Sequence, residues 1–198
     1  DSFDLDIVKW FASISNSILD TIFSLITQMG DDIFFILVVA FIYWIVDKKI
    51  GYKIAMFFLH GAAFNSVLKT VVNRPRPYME PGIESIGEKT AASSFPSGHA
   101  QNSMMLGLGL DEYFSKGKTW VKVLIYSLVG LVLISRVYLA QHYLTDVLVG
   151  ALISLGLFFL MNYFYKKETF KINPILISAP ILLILMIILR CFRNMTGI

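Results

Sequence analysis

Long apolar runs constrain the fold of this chain more than any other feature of its sequence. A helix crosses the hydrocarbon core of a bilayer with about 20 mostly apolar residues. Hydrophobic residues make up 56% of the 198 positions and charged residues only 16%, an apolar share above that of most soluble domains. The candidate spans are residues 31–47, 52–73, 98–114, 119–137, 143–165 and 173–192.

These runs predict an all-α fold, a polytopic membrane helix bundle with six transmembrane helices over residues 31–192. Strands are not expected, because the runs are too long and lack sustained period-two alternation. Asp111 and Glu112 lie near one end of the third span, and such charges are easier to bury inside a bundle than to expose to lipid. We expect residues 1–198 to form a single membrane domain.

The N-terminal residues 5–29 have a different pattern. Apolar residues recur at helical spacing from Leu5 to Leu25, while polar residues such as Lys9 and Asp20 interrupt the run. This pattern predicts an amphipathic helix within residues 1–30 that lies at the membrane interface. A seventh span is the alternative interpretation.

Lysines cluster in alternate loops, and this bias indicates an orientation. They are Lys48, Lys49 and Lys53; Lys116, Lys118 and Lys122; and Lys166, Lys167 and Lys171. With alternating spans these three loops share one side of the membrane, which should be the cytoplasmic side. The long loop 74–97 then lies on the extracytoplasmic side.

Charge and cysteine content exclude several classes of protein. The net charge is only +3, and no basic run is interleaved with aromatic residues, so we do not expect a nucleic-acid partner. The single Cys191 cannot form an internal disulfide and does not indicate a metal cluster. The sequence does not predict an oligomeric state.

A first polar phrase closes the second span, where Lys69 is followed by Arg74-Pro75-Arg76-Pro77. The prolines end the helix, so Lys69 lies in its last turns and Arg76 in the exit loop. A cation within a span indicates function by default, although a lysine that snorkels to the interface is an alternative. Arginine and lysine are the usual ligands of phosphate oxygens.

A second phrase, Pro96-Ser97-Gly98-His99, stands at the start of the third span. Proline favours the first turn of a helix, and free N–H groups at a helix N-terminus form an anion site. Ser97 can donate its hydroxyl, Gly98 permits close approach of an oxyanion, and His99 can reach a bound phosphate. An ordinary helix cap with an interfacial histidine is the alternative.

The third phrase runs from Ser135 to Asp146. His142 and Asp146 are spaced i, i+4 and share a helical face, so the carboxylate can fix the imidazole tautomer. Arg136 lies on a different face of any continuous helix, and a break near Gln141 would let it converge with His142.

Together the three phrases resemble the type 2 phosphatidic acid phosphatase superfamily. The resemblance rests on Lys69…Arg76-Pro77, Pro96-Ser97-Gly98-His99 and Ser135-Arg136…His142…Asp146, all in order and at the family's spacing. It implies a metal-independent phosphatase without a cofactor, in which His142 forms a phosphohistidine, Asp146 orients it and His99 protonates the leaving oxygen. The phosphate-binding residues implied are Lys69, Arg76, Ser97, Gly98 and Arg136.

The resemblance also indicates a bacterial membrane enzyme that acts on a phosphorylated lipid, and the lysine-rich loops predict that its site faces the extracytoplasmic side of the cytoplasmic membrane. The expected substrates are an isoprenoid diphosphate, phosphatidic acid or phosphatidylglycerophosphate, as in undecaprenyl-diphosphate and phosphatidylglycerophosphate phosphatases. Alternatives are a soluble sugar phosphate, as in relatives of glucose-6-phosphatase, and a non-catalytic protein that binds or transports a phospholipid. A vanadate-dependent haloperoxidase is disfavoured, because those enzymes are largely soluble.

Overall fold

The computed structural model describes residues 2–87, 89–90 and 92–166, which form helices and loops without a strand. The all-α prediction is confirmed for this part of the chain. Its α-helices are α1 (Ser2–Ser13), α2 (Ser17–Thr27), α3 (Asp32–Phe41), α4 (Lys48–Val72), α5 (Gly98–Leu110), α6 (Thr119–Tyr138) and α7 (Leu144–Lys166). A π-helical turn extends α3 over Ile42–Val46 and α5 over Asp111–Ser115.

The predicted N-terminal amphipathic helix is divided in two, so its continuity over residues 5–29 was wrong. Asn16 separates α1 from α2, and its side chain accepts hydrogen bonds from the Ile18 and Leu19 N–H groups. Asparagine favours this capping geometry over a helix interior. After a 3₁₀ turn at Gln28–Gly30, the chain bends by 54° into α3.

Three described helical segments are long and apolar enough to cross a membrane. They are Lys48–Met79, which is α4 with the loop and 3₁₀ turn after it, Thr119–Tyr138 and Leu144–Tyr165. The bent pair Ser17–Gly30 and Asp32–Val46 makes a fourth if it counts as one span. Six spans are therefore not confirmed. The predicted span 98–114 corresponds to α5 and its π turn, which are not among these helices, and the predicted span 173–192 lies outside the described residues.

Helix α5 can be short and polar because it is the central helix, packed against α4, α6 and α7. The Gln101 side chain is buried; its Oε1 accepts from Asn65 Nδ2 on α4 at 2.9 Å. Its backbone carbonyl accepts from Ser154 Oγ on α7 at 2.6 Å. Buried polar groups that are satisfied in this way fix helices in one register.

At the opposite end of the bundle, a buried lysine forms an ion pair with a partly exposed glutamate. Lys53 Nζ at the start of α4 lies 2.7 Å from Glu112 Oε2 in the π turn that follows α5. The ammonium is also within 5.5 Å of the Phe57 ring centroid. Only the lysine of this pair is buried: Glu112 is exposed, so the expectation that it is buried inside the bundle was wrong.

Close packing of α7 against the start of α5 depends on Gly150. A Cβ atom at Gly150 would lie 2.6 Å from the Ser97 carbonyl oxygen and 3.5 Å from Ala100 Cβ. Since the first of these is a backbone atom, it cannot move aside without shifting the helix start. Gly156 on the same helix is different, because a Cβ there meets no atom within 4 Å.

We therefore expect Gly150→Ala to lower the thermal unfolding midpoint in detergent, because the added methyl forces α5 away from α7. The matched variant Gly156→Ala should be at least as stable as the wild type, since alanine is favoured over glycine in a helix by about 1 kcal/mol. Equal midpoints for the two variants would contradict this packing.

Candidate active site

The three polar phrases meet at one end of the bundle, around a cavity of about 650 Å³. They arrive from the end of α4, the start of α5 and the α6–α7 junction. Of the residues predicted from sequence, the cavity wall contains Lys69, Arg76, Gly98, His99, Arg136 and His142. Ser97 and Asp146 are fully buried beside it.

The end of α4 supplies two cations. Asn73 ends the helix in a left-handed conformation, with φ 46° and its N–H bonded to the Lys69 carbonyl, which leaves Lys69 in the last turn. Arg76 is buried, and its Nε donates to Ala92 O at 2.9 Å. Its Nη1 donates to Gln141 O at 3.0 Å. These bonds to backbone carbonyls hold the guanidinium in place without neutralising its charge.

A third cation, Arg136, comes from the last turn of α6. It is buried, and its Nη1 donates to Thr27 Oγ1 at 2.8 Å. Its Nε has no hydrogen-bond partner among the described residues. An unpaired donor on a buried guanidinium is costly, so the cavity is suited to an anion.

Ser97 begins α5 as its N-cap. Its hydroxyl oxygen accepts from the Ala100 N–H at 3.4 Å, and its own N–H donates to the Asp146 carbonyl at 3.0 Å. Ser97 is thus fully buried next to the cavity wall. The capping position turns its hydroxyl oxygen toward the helix it caps.

His142 lies in the break between α6 and α7, at the position where a break was expected. Ala140 adopts a left-handed conformation with φ 54°, and the N–H groups of Gln141 and His142 both donate to the Arg136 carbonyl, at 3.1 and 3.2 Å. These bonds bring Arg136 and His142 to the same cavity.

The His142 ring has a defined hydrogen-bonding partner. Its Nδ1 lies 2.7 Å from the Ser94 carbonyl oxygen, which can only accept, so we assign the proton to Nδ1. Nε2 then carries the lone pair. Burial, and after it the positive charge of Arg136 and Arg76, lowers the pKa of the His142 imidazole to about 3 against the opposing effect of Asp146. The ring is therefore neutral at physiological pH.

Asp146 holds His142 less directly than the sequence indicated. Its Oδ2 lies 3.8 Å from His142 Nδ1, beyond hydrogen-bonding distance. It accepts instead from the Tyr143 N–H at 2.9 Å and from the Ser94 hydroxyl. Ser94 therefore bridges the pair, because its hydroxyl binds Asp146 while its carbonyl binds His142. Sequence reasoning missed Ser94, which sits in a loop without periodicity.

His99 faces a carboxylate that the sequence analysis also missed. Its Nε2 lies 3.9 Å from Asp31 Oδ2, while Asp31 Oδ1 caps α3 by accepting from the Ile33 N–H. Asp32 accepts from Asn102 Nδ2 at 2.6 Å. Both aspartates line the cavity. In the sequence, Asp31 and Asp32 simply precede the apolar run that begins at Ile33. No sequence signal therefore connected them with His99.

Comparison with known proteins relates the whole arrangement to one family. A model of the PAP2 superfamily matches residues 49–170. The chain is 30% identical over 173 residues to the lipid A 4'-phosphatase of Porphyromonas gingivalis, which covers 78% of this chain and 70% of that protein.

A second relative is sphingosine-1-phosphate phosphatase 1 of Mus musculus. The chain is 26% identical to it over 178 residues, which covers 83% of this chain and 40% of that protein. The chain thus spans less than half of this relative's length. A crystal structure of a transmembrane PAP2-type phosphatidylglycerolphosphate phosphatase from Bacillus subtilis matches with a TM-score of 0.69 and 28% identity, over 86% of this chain and 88% of that one.

The lowered pKa of His142 has a spectroscopic consequence. In phosphate-free buffer, the ¹⁵N signals of His142 should remain those of a neutral ring protonated on Nδ1 from about pH 5 to about pH 8, whereas an exposed histidine titrates near 6.5. The chain has only 3 histidines, so selective labelling and a His142→Gln variant assign the signals. Titration of His142 near pH 6.5 would contradict its burial.

Proposed function

Because the chain belongs to the PAP2 superfamily, we propose that it is an integral-membrane phosphatase that hydrolyses the terminal phosphate of a lipid. The match of the PAP2 superfamily model to residues 49–170 confirms the family that the three phrases predicted. The single observation that carries the proposal is the cavity of about 650 Å³ in which three cations surround two histidines.

Phosphoryl transfer needs fixed positive charge around the equatorial oxygens of the phosphoryl group. Lys69, Arg76 and Arg136 provide it from three directions, and the Gly98 N–H at the start of α5 adds a donor. Ser97 holds this helix start in place through its capping oxygen, and its hydroxyl proton remains to donate to the phosphate, as the family resemblance implies.

In the first step, the Nε2 lone pair of His142 attacks phosphorus while the bond from phosphorus to the lipid oxygen breaks. The resulting positive charge on the ring is stabilised by the Ser94 carbonyl and by Asp146 nearby. His99 enters this step as the imidazolium, protonated from solvent when the phosphate anion binds and favoured by Asp31 nearby. It delivers its proton to the departing oxygen, so the lipid leaves as a neutral alcohol or as a shorter phosphate.

In the second step, a water molecule attacks the phosphohistidine. The N–P bond breaks, His142 recovers its lone pair and inorganic phosphate is released. His99 has lost its proton in the first step, so it can accept one from the attacking water. Covalent catalysis of this kind divides one difficult displacement into two easier ones.

A lipid substrate is favoured by the surroundings of the cavity and by the relatives. The cavity opens at the ends of helices whose outer faces are apolar, with exposed residues such as Leu131 and Leu148. The relatives are named for sphingosine 1-phosphate, lipid A and phosphatidylglycerolphosphate, which are all phosphorylated lipids. We extend this class to isoprenoid diphosphates and phosphatidic acid.

We further propose that the cavity faces the extracytoplasmic side of a bacterial cytoplasmic membrane, in a six-span bundle. Lys48 and Lys69 are separated by about 30 Å along α4, at about 1.5 Å per residue, which matches the bilayer core. Lys48 therefore marks one surface and Lys69 the other. The lysine-rich loops support a cytoplasmic location for the first of these surfaces.

The test is phosphate release from purified protein in detergent with EDTA present. Isoprenoid diphosphate, phosphatidic acid and phosphatidylglycerophosphate are compared with glucose 6-phosphate as the soluble alternative. We expect release from at least one lipid. His142→Ala should lower it by at least about a thousandfold, because loss of a nucleophile leaves only binding and electrostatic effects.

Undiminished release by His142→Ala would overturn the proposed mechanism. Release from glucose 6-phosphate alone would overturn the lipid assignment. Binding of all three lipids without turnover by the wild type would favour the non-catalytic alternative. Gly156→Ala is a suitable control, because that position lies on α7 away from every contact described above.

A further inference from the structure

Helix α1 reaches the active site through one buried carboxylate. Asp4 is 4% exposed although it lies near the start of the described chain. Its Oδ1 accepts from the Thr145 N–H at 3.2 Å, and its Oδ2 accepts from the Thr145 hydroxyl. Asp4 therefore caps the first turn of α7 from another helix. A buried carboxylate requires compensation of this kind.

Arg74 connects Asp4 with the carboxylate behind His142. Its Nη2 lies 3.1 Å from Asp4 Oδ2, and its Nη1 lies 2.7 Å from Asp146 Oδ1. The guanidinium also stacks on Tyr143, 4.1 Å from the ring centroid. One planar cation is thus held between two carboxylates, one at Nη1 and one at Nη2, and against one aromatic ring.

The arrangement explains why Asp146 is a fixed anion rather than a mobile one. Its Oδ1 is paired with Arg74, while its Oδ2 is occupied by the Tyr143 N–H and the Ser94 hydroxyl. Ser94 in turn holds His142 through its carbonyl oxygen. A displacement of Arg74 would therefore be transmitted through Asp146 and Ser94 to the His142 ring.

We propose that Asp4 and Arg74 are positioning residues for His142, so that the N-terminal helix is part of the catalytic apparatus and not only a peripheral anchor. This inference rests on the proposed function for its kinetic consequences. Asp4 fixes the guanidinium, Arg74 fixes the Asp146 carboxylate, and Asp146 with Ser94 fixes the ring. Neither Asp4 nor Arg74 lines the cavity, so neither is expected to contact the phosphate.

The test compares Asp4→Asn with Asp6→Asn in the purified full chain. Asparagine keeps an oxygen that can cap α7 but removes the charge that holds Arg74. Asp6 lies on the same helix and is exposed, so it is a matched control. We expect Asp4→Asn to lower kcat by roughly tenfold with KM unchanged, comparable to the loss of an outer-sphere partner in metal sites. Asp6→Asn should behave like the wild type.

Two further variants test the route from Asp4 to His142. Arg74→Lys keeps the charge but cannot bridge two carboxylates, so it should lose less activity than Arg74→Ala but not match the wild type. The double variant Asp4→Asn/Arg74→Ala should be no slower than Arg74→Ala alone, because both act through the same guanidinium. Additive losses would contradict this route.

A measurement on the protein without substrate, the ¹⁵N spectrum of His142, completes the test. The ¹⁵N signals of His142 should shift in Asp4→Asn and stay unchanged in Asp6→Asn. Wild-type kcat and an unshifted His142 in Asp4→Asn would overturn the inference, even if phosphatase activity is established. An inactive wild type would overturn the proposed function instead. Even then, a shift of the His142 signals in Asp4→Asn but not in Asp6→Asn would support the positioning role. If Asp4→Asn does not fold, Arg74→Lys carries both readouts.

Discussion

A fully buried carboxylate, Asp146, is the group on which the site depends. Its side chain binds Arg74 from the end of α4, Ser94 from the loop before α5 and the Tyr143 N–H at the start of α7. Its backbone carbonyl accepts from the Ser97 N–H. A charge at this depth is stable only when each oxygen is paired. The three phrases are therefore held in one geometry by the requirement to satisfy one residue.

The cations of the cavity differ from Asp146 in the partners that hold them. Arg76 and Arg136 are buried, yet their hydrogen bonds go to carbonyls, an amide and a hydroxyl instead of carboxylates. Lys69 forms no ion pair among the described residues. Since such positive charge is unfavourable when unbalanced in a low dielectric, a bound phosphoryl group would stabilise the folded site. In the proposed reaction, the same charges would lie where negative charge develops on the equatorial oxygens.

Much of this arrangement could be predicted from local rules. Pro75 and Pro77 indicated that α4 ends before them, and it ends at Val72 with Asn73 as its cap. Ser97 caps the start of α5, and the i, i+4 spacing of His142 and Asp146 indicated a shared face. The family resemblance then indicated which residues meet. What could not be predicted depends on contacts between distant segments: Asp4 with Arg74, Ser94 with His142, and Asp31 with His99 have no periodic or motif signal. Helix α5 was expected to be an apolar span, but a helix surrounded by protein does not need apolar residues on every face.

The central claim is that His142 forms a covalent bond to phosphorus within this cavity. The most direct measurement is to mix the protein with a ³²P-labelled lipid phosphate, quench in alkali, where phosphohistidine is stable and acyl phosphates are not, and locate the added phosphoryl mass by peptide sequencing. We expect label on His142 of the wild type and none in His142→Ala. Label on another residue, or rapid phosphate release without label on the wild type under single-turnover conditions, would contradict it.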